Sequence, residues 1–291
     1  MSRDGMGEIT ALNDFLKLPD PAKAIAERFL PKPQAAIDAN ATTLPGNANA
    51  AGVYHRSRRT DSSWLRMSDL IAQSVVKVDA SGNLRTFLAI CPFCGGKTYK
   101  RIGRSLYEGP VGERVAFVDN AGPEPYFSQP GIRAQRAPWF LDVRWVAPAL
   151  AASVVIVFLT LIAWPIVALW RHWRKRRWGM DKGHRRNYLA MRLVLLVDAA
   201  VVVATVLLFT LSALDPTILN DALDPLLLVL YGIAWLGVFG AIPTVWAATL
   251  FWRRRVGGRW SRIHHSLIAA SSVMLSWFLL TFHIAGTTLT Y

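Results

Sequence analysis

The chain has 291 residues with a formal net charge of +14, and 53% of its residues are hydrophobic. This apolar content excludes an intrinsically disordered chain, and two cysteines are too few for a disulfide-rich scaffold. The excess of basic residues leaves two interpretations, a nucleic-acid-binding protein or a membrane protein with basic loops.

Residues 1–50 are predicted to form a short helix and a linker. Asp20 and Pro21 are typical of a helix N-cap and first helical position, and Pro31 ends the helical pattern. Residues 34–50 are rich in Ala, Asn, Thr and Pro, as linkers are. The first ten residues lack the basic and then apolar pattern of a signal peptide.

Residues 51–138 are predicted to form a small antiparallel β-domain. The alternation of apolar and polar residues around a Ser-Gly-Asn turn indicates a β-hairpin over 76–90. Further strands are predicted over 99–107 and 114–118. The stretch 122–130, rich in Gly and Pro, breaks the pattern.

Within this region Cys91 and Cys94 form a Cys-x-x-Cys motif that has several possible roles. A zinc site needs two more ligands, but the sequence has no second Cys-x-x-Cys, and His55 is the only histidine near it. A glycine pair and a strand follow the motif, whereas a thioredoxin-like site needs a helix there. We expect a loop with the two cysteines free or paired, and a membrane thiol–disulfide protein is the weaker alternative. No metal or cofactor is predicted.

The second half of the chain contains four long apolar segments. About 20 apolar residues in a helix cross the hydrocarbon core of a bilayer. We therefore predict four transmembrane helices, and residues 139–291 form the membrane domain. The predicted helices cover about 145–170, 193–214, 226–252 and 264–286.

The net charge is concentrated in two short loops between these segments. Residues 171–192 carry nine Lys or Arg and one acid, and residues 253–262 carry five Lys or Arg, which together give +13. Such loops remain in the cytoplasm and determine topology. We predict a multi-pass protein of the bacterial inner membrane that contacts the lipid bilayer and binds no nucleic acid, with its N-terminal domain and C-terminus in the periplasm. The principal topology determinants are Arg171, Arg174, Lys175, Arg176, Arg177, Arg253, Arg254 and Arg255.

One acidic residue lies inside a predicted transmembrane helix. Asp198 is six residues past Arg192, and His264 and His265 begin the fourth helix from the same side of the membrane. An intramembrane acid is costly and usually faces the bundle interior. We predict a polar pair between Asp198 and one of these histidines, and a proton or ion relay is the alternative.

The order of several short motifs resembles a known family. This family consists of membrane-anchored bacterial serine hydrolases, which are β-lactamase-related and similar to penicillin-binding proteins. The resemblance is to their C-terminal region. The similar motifs, in chain order, are Arg28–Pro31, Ala51–Tyr54, Ser63–Leu65, Tyr99–Gly103, Val115–Phe117 and the proline–aromatic pair Pro138-Trp139 before the membrane helices.

The resemblance implies a serine hydrolase whose catalytic domain precedes this region. That chemistry needs Ser-x-x-Lys on a helix, Tyr-x-Asn, and a Lys- or His-x-Gly strand. Ser74 and Lys77 match the first string, but they lie in a predicted strand, where residues three apart face opposite sides. The other two strings do not occur in the sequence, so no catalytic residue is carried over.

We therefore expect a non-catalytic membrane-anchoring and accessory region, from a fragment or a split or truncated gene. Its expected partner is a serine hydrolase catalytic domain or chain. The alternative is a stand-alone inner-membrane protein whose periplasmic β-domain senses a signal or binds a partner.

Overall fold

A computed structural model describes residues 48–57, 59–91, 93–119, 125–129, 132–174, 182–255, 258–287 and 289. The predicted N-terminal helix and nearly all of the predicted linker lie outside the described residues. So do Lys175, Arg176 and Arg177.

Eight antiparallel strands form a closed barrel in which the strand order follows the chain. Strand β1 pairs with β2 on one side and with β8 on the other, and Tyr54 lies opposite both Ser74 and Arg136. The strands are β1 (Gly52–Arg56), β2 (Ser74–Val78), β3 (Leu84–Leu88), β4 (Gly96–Arg101), β5 (Leu106–Glu108), β6 (Arg114–Val118), β7 (Tyr126–Gln129) and β8 (Ile132–Arg136).

The barrel interior is filled at one end by large side chains. Alternate residues of each strand point inward, and an eight-stranded barrel is just wide enough for such side chains or one small ligand. The buried interior residues are Tyr54, Val76, Leu84, Tyr99, Tyr107, Val115, Phe117 and Phe127.

The α+β class is confirmed, but the structure corrects the strand pattern. Strands β2 and β3 form the predicted hairpin, while the single strand predicted over 99–107 is two strands around a turn. Strands β1, β7 and β8 were not predicted, and β7 lies within the Gly- and Pro-rich stretch. The reason is that most strands are no longer than five residues, so alternation has little length in which to appear.

The remainder of the described chain is helical. A five-residue helix, α1 (Ser68–Ala72), lies between β1 and β2. Four long helices follow the barrel, and each is long and apolar enough to cross a membrane. These are α2 (Val143–Trp173), α3 (Lys182–Leu214), α4 (Asp224–Arg253) and α5 (Arg259–Thr281).

The helices differ in extent from the apolar segments. Helix α3 begins eleven residues before the predicted start, because its first three turns carry polar and basic residues. Helix α5 begins at Arg259 and ends at Thr281, and the backbone leaves the helical conformation by His283, whose φ is +54°. Large apolar side chains face outward from the bundle, among them Leu159, Ile242 and Trp246. A bilayer covers such surfaces in multi-pass membrane proteins.

The barrel is attached to one end of the bundle through a contact that we call the joint. It comprises Trp64, Arg66 and Gln73 from the segment between β1 and β2, and the residues that they contact. Trp64 is fully buried in an apolar cluster with Leu141, Val143, Leu227 and Phe282.

Two polar side chains fix the geometry of the joint. The Gln73 side-chain amide, also fully buried, donates to the Leu141 carbonyl (2.8 Å) and accepts from the Val143 backbone N–H (3.0 Å). The Arg66 guanidinium donates to the carbonyl of Thr281, the last residue of α5 (3.0 Å). The barrel is therefore bonded to the start of α2 and the end of α5, opposite the end that carries Arg171 and Arg253.

We expect Gln73→Ala to weaken the joint. The substitution leaves a buried carbonyl and a buried N–H without partners, which costs about 2–4 kcal/mol of the free energy of unfolding. Denaturation of the purified chain in detergent, followed by tryptophan fluorescence, measures this loss.

Gln135→Ala is the matched control. The Gln135 amide oxygen has one long contact, 3.4 Å from the Arg59 guanidinium, at the barrel surface. Its removal is expected to change the free energy of unfolding by less than about 0.5 kcal/mol. Equal losses in the two variants would contradict the role assigned to Gln73.

Candidate functional site

A cavity of about 510 Å³ opens at one end of the barrel. Its volume is within the range of about 300–1,000 Å³ that is usual for small-molecule sites. Tyr54, Tyr99 and Phe127 form its apolar floor, and Phe127 packs against Tyr54 with ring centroids 4.7 Å apart. The floor is preformed, because these residues belong to the buried interior of the barrel.

The rim of the cavity carries two cations. Lys97 forms an ion pair with Glu113 (Nζ to Oε1, 3.2 Å). Arg56 is exposed, and its guanidinium forms no ion pair with any residue that the structure describes. The cavity therefore combines an aromatic floor with one uncompensated positive charge at its mouth.

The position of Tyr54 in the floor affects its ionisation. Burial raises the pKa of the Tyr54 hydroxyl, an effect that the nearby Arg136 guanidinium partly opposes. The neutral hydroxyl donates a hydrogen bond to the Ala50 carbonyl (3.1 Å). At neutral pH Tyr54 therefore presents an uncharged ring to the cavity.

The Cys-x-x-Cys motif lies at the same rim. Cys91 and Cys94 are joined by a disulfide, and their Cα atoms are 5.4 Å apart. Cys94 lines the cavity, and strand β4 follows two residues later. The disulfide thus closes a short loop at the mouth, and the side chain of Phe93 in this loop is 98% exposed.

Ser74 and Lys77 lie on opposite faces of strand β2. Ser74 lines the cavity, whereas the Lys77 ammonium lies outside the barrel, 5.3 Å from the centroid of the Phe87 ring. The two side chains do not form a nucleophile and base, as their spacing in a strand predicts.

The polar residues within the bundle pair differently from the prediction. Asp198 on α3 is buried, and its Oδ2 accepts a hydrogen bond from the Ser272 hydroxyl on α5 (2.9 Å). His265 instead contacts the Ser261 carbonyl and stacks on Phe251, with ring centroids 4.1 Å apart.

Asp198 pairs with Ser272 and not with a histidine because of where the two helices begin. Asp198 is sixteen residues past Lys182, the start of α3, and Ser272 is thirteen past Arg259, the start of α5. At 1.5 Å per residue these positions lie at similar depths, about 24 and 20 Å. The predicted depth of Asp198 was too small, because it was counted from Arg192 rather than from the start of the helix.

Glycines on α4 bring this helix close to the Asp198 region. A Cβ added at Gly237 would lie 3.1 Å from Asp198 Oδ1, and one at Gly240 would lie 2.8 Å from the Val194 side chain. Asp198 Oδ1 has no hydrogen-bond partner among the described residues. Asp198 therefore contributes one interhelical bond at the contact of α3, α4 and α5.

We expect Ser272→Ala to destabilise the bundle. It leaves the buried Asp198 carboxyl without its hydrogen bond, which costs about 1–3 kcal/mol. Ser276→Ala is the matched control, because the Ser276 hydroxyl bonds only to the Ser272 carbonyl of its own helix (2.7 Å). Denaturation in detergent measures the free energy of unfolding of the two variants. Equal values would show that the Asp198–Ser272 bond contributes nothing to stability.

The basic residues that were predicted to determine topology, as far as the structure describes them, lie together at the end of the bundle away from the barrel. Arg171 is in the last turn of α2 and Arg174 follows that helix. Arg253 ends α4, and Arg254 and Arg255 follow it. Among the described residues, no group of three or more His, Cys, Asp or Glu is arranged to hold a metal ion.

Several functional positions were not predicted from the sequence. Gln73 and Arg56 have no motif around them, and a glutamine before a strand has no distinctive spacing. The clearest sequence signal for the joint was Trp64, a tryptophan in a short polar segment. In the sequence analysis it appears only as part of the Ser63–Leu65 motif.

Comparisons with known proteins give no further assignment. No family model, no curated protein and no solved structure matches this chain.

Proposed function

We propose that this chain is a non-catalytic membrane-anchoring and accessory module, similar to the C-terminal region of β-lactamase-related serine hydrolases. Its four helices anchor it in the bacterial inner membrane, and its barrel stands on the periplasmic surface beside a catalytic domain. The order of motifs from Arg28 to Trp139 is the basis of the resemblance.

The observation that supports an anchoring role most strongly is the joint. Gln73 and Arg66 bond the barrel to two different transmembrane helices, and Trp64 is buried between barrel and bundle. A barrel on a flexible tether would need none of these contacts. The contacts hold the barrel in one orientation at the membrane, as a module that positions an attached enzyme requires.

The positions of the basic residues support the proposed topology. Arg171 and Arg253 lie at the opposite end of the bundle from the joint. Basic ends of transmembrane helices remain in the cytoplasm. The barrel is then periplasmic, an oxidising compartment in which the Cys91–Cys94 disulfide persists.

The DNA directly upstream of this reading frame tests the proposal. We expect it to encode a signal peptide, Ser-x-x-Lys and Tyr-x-Asn, in frame or beyond a frameshift. An unrelated gene there would contradict the proposal. The purified chain itself is expected to show no covalent labelling by a fluorescent penicillin, and labelling that is lost in Ser74→Ala would show a catalytic function instead.

The cavity favours a second candidate, a stand-alone membrane protein whose barrel binds a small ligand. The aromatic floor and the exposed Arg56 together fit a molecule with an apolar body and a carboxylate. In this function the joint transmits ligand binding to the bundle, since β2 starts directly after Gln73.

Equilibrium dialysis of the full chain in nanodiscs against 4-phenylbutyrate tests this candidate, with protein-free nanodiscs as the blank. Ala134 lines the cavity, so Ala134→Phe fills it and is expected to weaken binding at least about tenfold. Ala116→Phe is the control, because the strand alternation places Ala116 on the outer face, between the buried Val115 and Phe117. Equal binding by both variants would exclude the cavity as the binding site.

A further inference from the structure

A second cavity, of about 230 Å³, lies between α2, α3 and α5 near the basic end of the bundle. The polar part of its lining is cationic or neutral. It includes Arg171, Arg192, His264, His265, Tyr188, Ser261 and Thr160. No aspartate or glutamate among the described residues lines this cavity.

Arg192 is the central residue of this cavity. Its side chain is buried, with the residue 7% exposed. The guanidinium carbon lies 3.6 Å from the centroid of the Trp164 ring and 3.7 Å from that of the Tyr188 ring. The guanidinium also donates a hydrogen bond to the Tyr188 hydroxyl. Two aromatic side chains thus hold the charged group at a fixed place in the cavity wall.

Among the described residues, no acid pairs with the buried guanidinium of Arg192. Asp198, the acid of the same helix, bonds to Ser272 instead. The faces of aromatic rings offset only part of the cost of removing a cation from water. A second cation, Arg171, lines the same cavity. The cavity therefore favours an anionic occupant.

The donors of the cavity suit a phosphate group. A guanidinium presents its N–H groups in a planar fork that matches two oxygens of a phosphate. The hydroxyls of Tyr188 and Ser261 add neutral donors in the same lining. At about 30 Å³ per water molecule, the cavity has room for roughly seven waters, which is enough for a phosphate and a few linked atoms.

We propose that the Arg192 cavity is a binding site for a phosphate group. Two sources share this chemistry, the headgroup of an anionic phospholipid and a free phosphate compound. The position of the cavity between the helices, at the end that carries the basic residues, is one in which transmembrane bundles bind anionic headgroups.

Native mass spectrometry of the full chain in a neutral detergent tests the proposal. Phosphatidylglycerol and phosphatidylcholine with identical acyl chains are titrated separately, and inorganic phosphate and glycerol 1-phosphate form the second arm. For the lipid source, we expect one phosphatidylglycerol per chain, bound at least about tenfold more tightly than phosphatidylcholine. For the free source, we expect saturable binding of one phosphate compound in the second arm.

Arg192→Gln is expected to weaken the observed binding at least about tenfold, because it removes the charge and the fork. Arg186→Gln is the matched control: Arg186 is an exposed arginine of the same helix, so the variant loses the same charge outside the cavity. Its affinity is expected to stay within about twofold of the unmodified chain, since an exposed charge contributes little.

The possible results distinguish the two sources of the phosphate group from each other and from failure of the proposal. Arg192-dependent preference for phosphatidylglycerol identifies a lipid headgroup, and Arg192-dependent binding in the second arm identifies a free phosphate compound. Equal binding of the two lipids with no phosphate binding overturns the proposal, as does binding that the two variants weaken equally. If Arg192→Gln does not fold, as judged by gel filtration, Arg192→Lys takes its place. That variant keeps the charge without the fork, and unchanged affinity overturns the proposal.

Discussion

One buried amide, that of Gln73, connects the two halves of this molecule. Its oxygen and nitrogen are both used, on the N–H of Val143 and the carbonyl of Leu141, where the chain enters helix α2. A fully buried amide that lost either partner would carry a large penalty. The barrel therefore cannot rotate on the bundle without breaking these bonds and exposing Trp64.

This attachment determines where the two cavities lie relative to each other. The barrel cavity is at the end of the bundle with the joint, and the Arg192 cavity is at the end with the basic residues. The Asp198–Ser272 bond lies between the two ends and serves contact among α3, α4 and α5. The Asp198–Ser272 bond thus has a local role in helix packing.

The sequence predicts the membrane part better than the barrel, for a physical reason. A transmembrane helix needs about 20 apolar residues, which leaves a long and unmistakable pattern. Strands such as Leu106–Glu108 have three residues, and their pairing is determined by barrel closure. The cavity and the joint depend on long-range contacts, such as Gln73 to Leu141, that no local pattern encodes. The partner of Asp198 was mispredicted because helix α3 begins eleven residues before its apolar part.

If the four helices cross the membrane, they hold the barrel on the face opposite the basic residues. Single cysteines test this topology at Thr98, exposed on the barrel, and at Gly258, where an added Cβ meets open space. Each variant is treated in spheroplasts with a membrane-impermeant maleimide. We expect labelling of Thr98→Cys in intact spheroplasts and labelling of Gly258→Cys only after lysis. Labelling of both sites in intact spheroplasts, or of Gly258→Cys alone, would contradict it.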